Sequence, residues 1–376
     1  MLLSRLFFVV CQIFLLHGNR FLELESCINP KDPPRKTSWS SSLQSCSEFS
    51  CTSNVILRKT WFSSEKPRIP VTIITQLSID RKEVLQRQCK SYMGPVVAAV
   101  YAPLIQPDWL NASNTPSEHN EQYLTQIEQQ LTAIHRSVLA PGSCQLTMLL
   151  FYELFDSVSA SVLYPVNALR NFARMVAQTN LIFPLDVDML VSKSFSNLLS
   201  NHSEAQKMEK MSAKQIAFIL PALEVVTGGL QVEQASCEGS KQAIVEQFNN
   251  GVLQQFKKFT YPLGHRNTDY RRWLSNEVFD ADWEPGYEPY MVLHWDHLPW
   301  FHIGFKGFGL NKVSFVADVH HRNISFKVIT KKLVFCPSAC KRKKALQINF
   351  SKKHCTAEMI PPSMYDLLAW IPLFQS

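Results

Sequence analysis

The sequence predicts an α/β fold, with a mostly parallel central sheet and helices on both faces. Two observations carry that prediction. Short runs rich in Val, Ile, Leu and Ala alternate along the chain with longer segments whose apolar residues step by three and four. The short runs are apolar at nearly every position, as strands covered on both faces by helices must be. Strands that alternate with helices in this way form parallel sheets.

The elements follow in order. Val71-Thr-Ile-Ile-Thr-Gln76 is a β-branched run and the first strand. Asp80 to Lys90 reads as a helix, and Pro95-Val-Val-Ala-Ala-Val-Tyr101 as a second strand. Leu124, Ile127, Leu131, Ile134 and Val138 fall on one helical face, which Pro141-Gly142 ends. Gln145 to Tyr152 is a third strand. Val166, Leu169, Phe172, Ala173 and Val176 mark another helix, and Leu181-Ile-Phe183 a fourth strand running into Asp186. Ile216 to Leu220 is one more strand. From Tyr261 to Phe308 the chain is rich in Trp, Tyr, His, Pro and Gly, which suggests long loops around a pocket. Ligands of parallel sheets bind at the carboxyl ends of strands, so Asp186 and Asp188 stand where a ligand belongs.

The chain has 376 residues, 46% of them hydrophobic, enough for a sizeable core. The net charge is +7, and Lys341-Arg342-Lys343-Lys344 reads as a solvated basic face rather than a nucleic-acid site. Arg5 followed by the uncharged run Leu6 to Leu16 has the order of a secretory signal. Residues 1–20 are therefore a signal anchor or a cleaved signal peptide, which leaves a membrane-anchored or a secreted chain. Asn111, Asn201, Asn323 and Asn349 each open an N-x-S sequon, in keeping with a luminal protein. Ten cysteines, clustered at Cys27, Cys46 and Cys51 and again at Cys336, Cys340 and Cys355, read as disulfide partners before metal ligands. Residues 21–67, rich in Ser, Pro and charge, read as a stem.

Two carboxylates one residue apart after an apolar strand are a common way to offer oxygen ligands to a hard cation such as Mn²⁺ or Mg²⁺. Such an ion can neutralise a diphosphate leaving group. Asp186-Val187-Asp188 has that form.

A series of ordered blocks then gives a resemblance. They are Thr75-Gln-Leu-Ser-Ile-Asp-Arg81, Cys89-Lys90, Gly94-Pro95, Tyr164-Pro-Val-Asn-Ala-Leu-Arg-Asn171, Asp186-Val-Asp188 and Leu220-Pro-Ala-Leu-Glu224. After these come Gly264-His265, Trp283-Glu284, Tyr287-Glu-Pro-Tyr290 and Phe305-Lys-Gly-Phe-Gly-Leu-Asn-Lys312. In this order they resemble the family 49 glycosyltransferases, which include the β-1,4-glucuronyltransferase of dystroglycan glycosylation and the second catalytic domain of the LARGE enzymes. The resemblance implies a GT-A type nucleotide-sugar-binding domain over 68–376, a UDP-sugar donor, a glycan or glycoprotein acceptor, Mn²⁺, inversion at the sugar carbon, and a type II orientation in the Golgi membrane.

It also implies roles. Asp186 and Asp188 would hold the metal. Thr75, Gln76, Arg81, Asn167, Arg170, Asn171, His265, Gly307 and Gly309 would line the donor site. Packing or helix capping is the competing role for the two asparagines and for His265. Glu288 or Glu284 would be the general base, with Glu288 favoured because Tyr-Glu-Pro-Tyr is a rigid aromatic loop. The sequence departs from the family at Val334-Phe-Cys-Pro-Ser-Ala339, where relatives carry His-Met-Pro-His, one histidine of which completes their metal site. Leu185 and Leu310 replace a Ser and a Trp. These departures leave an alternative: a catalytically silent domain that binds glycans or a partner.

Overall fold

The computed structural model describes residues 55–107, 115–138, 143–227, 229–275, 278–307, 309–330 and 334–336. The signal or anchor segment, most of the stem, Asn111, Asn349 and everything after 336 lie outside them. No helix of the described residues is long and apolar enough to cross a membrane.

Strands are numbered along the chain. Among the described residues the main sheet has nine: β1 (Ile56–Trp61), β2 (Val71–Ser78), β3 (Pro95–Ile105), β4 (Gln145–Phe155), β5 (Leu181–Pro184), β7 (Ile216–Leu220), β10 (Phe279–Ala281), β11 (Tyr290–His294) and β12 (Ser325–Val328). A second sheet joins β6 (Leu190–Val191), β8 (Ala222–Val225), β9 (Leu253–Gln255) and β13 (Val334–Cys336). The main sheet runs β1-β4-β3-β2-β5-β11-β7-β12-β10. Its ladders from β4 through β3 and β2 to β5 are parallel, as is β7 with β12. The edges, and both sides of β11, are antiparallel.

Helices cover both faces, as the sequence predicts. On one face α1 (Lys82–Ser91), α2 (Glu118–Ser137) and α4 (Lys193–Ser200) bury Leu85, Ile127, Leu131 and Phe195 against Ile73, Val96 and Phe183. On the other, α3 (Val166–Met175) packs Leu169 and Phe172 against Ile74, Ile182 and Phe151. All ten residues of α3 are buried, four of them Asn or Arg. Buried arginines are rare unless paired, so this helix holds more than a packing face.

Two expectations need correction. The stretch read as stem contains a strand, β1, ahead of the run at Val71 read as the first. Its Arg58 and Lys59 hide the strand pattern, because they reach over α2 to ion-pair with Glu121 and Glu128. Charged residues suit an edge strand. The loop region from Tyr261 contains β11, which sits in the middle of the sheet. Met291-Val-Leu293 is a strand pattern, but short and flanked by aromatic loop sequence.

A disulfide joins Cys89, in the last turn of α1, to Cys144, just before β4, across a separation of 55 residues. Cys144→Ser is expected to lower unfolding stability by about 2–4 kcal/mol, chiefly by freeing the unfolded chain. Urea unfolding monitored by circular dichroism checks this, and reductant should reproduce the loss in the wild type.

Candidate active site

The site is built at the carboxyl end of β5. The chain leaves the strand through Leu185, whose amide donates to the Ile74 carbonyl of β2 at 3.0 Å. Gln88 of α1, fully buried, donates from Nε2 to the carbonyls of Asp186 (2.9 Å) and Met189 (3.0 Å). Leu185, Val187 and Met189 enter the core, and the two aspartates alternate with them.

Three elements converge on Asp186. Arg170 of α3 donates to Oδ1 at 3.0 Å. Lys312, in the first turn of α9 (Asn311–His321), donates to Oδ2 at 2.9 Å, and the Tyr290 hydroxyl of β11 donates to the same oxygen at 2.8 Å. Lys312 also donates to the Tyr290 oxygen at 3.0 Å. The side chains of Arg170, Lys312 and Asp186 are only 7%, 16% and 18% exposed. Burial alone would raise the Asp186 carboxyl, but Lys312 and Arg170 outweigh it and hold it well below the usual carboxylate range. Burial and the neighbouring carboxylate push the Tyr290 hydroxyl well up, so it stays a donor. Asp188, buried, pairs with Arg81 at 3.3 Å.

A second ion pair lies beside the first. Lys257 meets Glu288 at 2.6 Å, and the Glu288 amide is fixed by the Gly264 carbonyl at 2.8 Å. Burial raises the Glu288 carboxyl, yet Lys312 and Lys257 bring it below its ordinary value. His265 is buried against Tyr290, with ring centroids 6.0 Å apart, and near Phe256 at 5.4 Å. Burial pushes its pKa down to about 3, so the ring is neutral, and its Nε2 has no hydrogen-bond partner among the described residues.

The other expected residues fall into three groups. Gln76 accepts from the Tyr164 hydroxyl, and the Gly307 amide donates to the Tyr164 carbonyl at 2.7 Å, so the end of β2 and the glycine segment meet at one tyrosine. Gly307, Gly309 and Leu310 all have positive φ, at 78°, 106° and 52°. Only glycine takes such angles without strain, so the backbone turns sharply into α9 and Leu310 bears a cost there. Asn167 accepts from Arg170 at 3.0 Å and donates to the His302 carbonyl at 2.8 Å. Asn171 clamps Phe301 through both its amide (2.9 Å) and its carbonyl (2.8 Å). These contacts give the two asparagines structural work, holding Arg170 and the loop before α9. Thr75 is buried on the α1 face of β2, its hydroxyl unpartnered among the described residues. Glu284 lies apart from Glu288: its side chain is 46% exposed and pairs with Arg266.

Lys257, Lys312 and Tyr290 were given no role by the sequence, although the last two stand inside the ordered blocks. A lone lysine carries no pattern; its signal here is spatial, across 126 residues between Lys312 and Asp186.

The metal implied by the resemblance is tested by this donor set. Among the described residues, no group of three or more His, Cys, Asp or Glu is arranged to hold a metal ion. Both oxygens of Asp186 are taken by cationic or phenolic donors, and Asp188 faces a guanidinium. A divalent ion at Asp186 would have to displace an ammonium and remain beside it. Among the described residues, the side chains as arranged do not offer a metal its ligands.

A family model described as "Glycosyl-transferase for dystroglycan" matches residues 70–336. The chain belongs to this family. Among curated proteins, the mouse xylosyl- and glucuronyltransferase LARGE2 is 28% identical over 260 residues, 69% of this chain and 33% of the relative. The chicken LARGE2s enzyme is 29% identical over 260 residues, covering 69% and 30%, and the Caenorhabditis elegans glycosyltransferase-like protein LARGE is 27% identical over 257 residues, covering 68% and 36%. This member of the family thus spans about a third of the length of the curated relatives it matches. Solved structures align more weakly. The Staphylococcus aureus TarS 1-349 structure gives a TM-score of 0.34 at 9% identity, covering 72% of this chain and 60% of its own. GalNAc-T7 with UDP, GalNAc and Mn²⁺ gives 0.33 at 8%, covering 71% and 44%. Overlaps this loose carry no argument about the site.

Proposed function

We propose that this glycosyltransferase moves glucuronic acid, or a related sugar, from a UDP-sugar to a hydroxyl of a glycan, with inversion at the sugar carbon. The observation that carries this reading is the convergence on one strand end of a buried carboxylate, Glu288, with the basic groups Lys312, Lys257 and Arg170. An inverting transfer needs both parts. Charge grows on the departing diphosphate, and preorganised cations in a partly buried site stabilise it. The acceptor hydroxyl must lose its proton to a base on the opposite side. Glu288 is ionised at neutral pH, fixed by its backbone and shielded from water, whereas Glu284 is exposed and paired outward. Glu288 is therefore the base in this account, and Glu284 a surface residue.

The donor reading is supported by membership of the family and by its relatives, which are xylosyl- and glucuronyltransferases. A luminal Golgi location behind an N-terminal anchor fits the Cys89–Cys144 disulfide and the exposed positions of the sequon residues Asn201 and Asn323.

The test is product analysis. The full-length chain is incubated with UDP-glucuronic acid, UDP-xylose and other UDP-sugars, each with a panel of glycan acceptors, and the acceptors are weighed by mass spectrometry. The account expects one sugar increment on at least one acceptor, with β configuration. No increment from any pair, with the protein shown to be folded, overturns it.

A further inference from the structure

We infer that Asn201 and Asn323 are sites of N-linked glycosylation, and that at Asn201 one side chain carries a glycan on its nitrogen while its oxygen caps a helix. The inference rests on the proposed luminal location, because sequons are modified on the secretory route.

The two sequons are Asn201-His-Ser203 and Asn323-Ile-Ser325, and both asparagines are exposed. Sequons are common, so the fold has to show that a bulky group can stay on each side chain. The two positions meet that demand in different ways.

Asn323 lies just past the end of α9. Its amide donates to the His320 carbonyl at 2.9 Å, and the Ile324 amide donates to the Val319 carbonyl at 3.4 Å. These two bonds form the Schellman pattern that closes a helix, with Asn323 in the left-handed region at φ 59°. Asparagine is one of the few residues besides glycine that takes this conformation routinely. The backbone thus finishes the helix without help from the Asn323 side chain, which makes no hydrogen bond to the described residues. Ile324 turns into the core instead, at 3% exposed. The 11 residues of α9 lie between Asn323 and the end that carries Lys312, so a glycan here stands clear of the donor site.

Asn201 is the N-cap of α5 (His202–Ser212). Its Oδ1 accepts from the Ser203 amide at 3.0 Å and from the Glu204 amide at 3.3 Å. Both cap bonds use the oxygen, and Nδ2 makes no hydrogen bond to the described residues. A side-chain amide keeps acceptor and donor on different atoms. Glycosylation takes one hydrogen from the nitrogen and leaves the oxygen with its lone pairs, so glycan and cap do not compete. In the transfer, the bond from Nδ2 to the anomeric carbon forms as the C–O bond of a lipid-diphosphate-linked oligosaccharide breaks. The diphosphate leaves with the electron pair, and Nδ2 gives up one proton.

The experiment uses the full-length chain made in cultured animal cells. Its peptides are treated with peptide N-glycosidase in heavy-oxygen water, which turns each glycosylated asparagine into a labelled aspartate that mass spectrometry reads. Label at both Asn201 and Asn323 supports the inference. A chain protected from added protease inside microsomes, yet unlabelled at one of these positions, overturns that assignment and leaves the luminal reading standing. A chain that added protease digests without opening the microsomes overturns the luminal reading, and the inference with it. Thermal unfolding reads the double role of Asn201. Ser203→Ala breaks the sequon and spares both cap bonds, whose donors are backbone amides, whereas Asn201→Gln removes sequon and cap together. Asn201→Gln is expected to melt about 2–4 °C below Ser203→Ala. Equal melting of the two variants overturns the capping role beneath the glycan.

Discussion

Asp186→Ala is expected to lower transfer activity below detection and to destabilise the fold at the same time. The carboxylate holds Arg170, Lys312 and the Tyr290 hydroxyl, all largely buried. Removing one partner of a buried ion pair strands the others and typically costs about 3–5 kcal/mol. For a domain of this size that is a fall in melting temperature on the order of 10 °C. Differential scanning calorimetry reads the stability and a UDP-release assay reads the activity. Asp186→Asn keeps the shape and removes the charge, which separates the two effects. A pH series adds the sign. The folded Asp186 pKa lies well below the unfolded one, so its stabilisation is complete above the ordinary aspartate range and disappears as pH falls through the depressed folded value. The stability gap between wild type and Asp186→Asn should therefore narrow on acidification and not on alkalinisation.

Glu288→Gln is expected to cut kcat by about 10²–10⁴ while UDP affinity holds or tightens. A general base acts on the acceptor hydroxyl, so its loss belongs in kcat. The same substitution removes a negative charge beside Lys257 and Lys312, which can only favour an anionic ligand. Glu284→Gln, on an exposed carboxylate paired with Arg266, is expected to change kcat by less than about twofold. The pH profile follows from the folded-state environment. Lys312 and Lys257 hold Glu288 below its ordinary value against the effect of burial, so the acid limb of kcat should fall below the usual glutamate range. Steady-state kinetics with the acceptor found by product analysis measures all three.

The sheet was legible where strands are buried on both faces. β2, β3, β4, β5 and β7 each read as an apolar run because helices cover them above and below. β1 was not, because Arg58 and Lys59 on an edge strand disguise it. β11 was not, because a five-residue strand between aromatic loops lacks length. Asp186 and Asp188 were legible as carboxylates at a strand end, and Arg170 as a candidate donor contact on the preceding helix. Lys312, Lys257 and Tyr290 were not. Which cation meets Asp186 depends on how α9 is brought back over β5, and no local pattern in Asn311-Lys312 states that. The sequence could name the two aspartates with Arg81 and Arg170, while Lys312 and Lys257 join them only after folding. That difference separates aspartates read as metal ligands from aspartates already paired with basic groups.

The most direct measurement is the melting temperature of the full-length chain titrated with UDP-glucuronic acid, UDP-xylose and UDP-N-acetylglucosamine, with GDP-mannose as the control. The account predicts a saturable rise with at least one UDP-sugar, competed by UDP and much reduced in Lys312→Gln. No rise with any nucleotide sugar, or an equal rise with GDP-mannose, would contradict it.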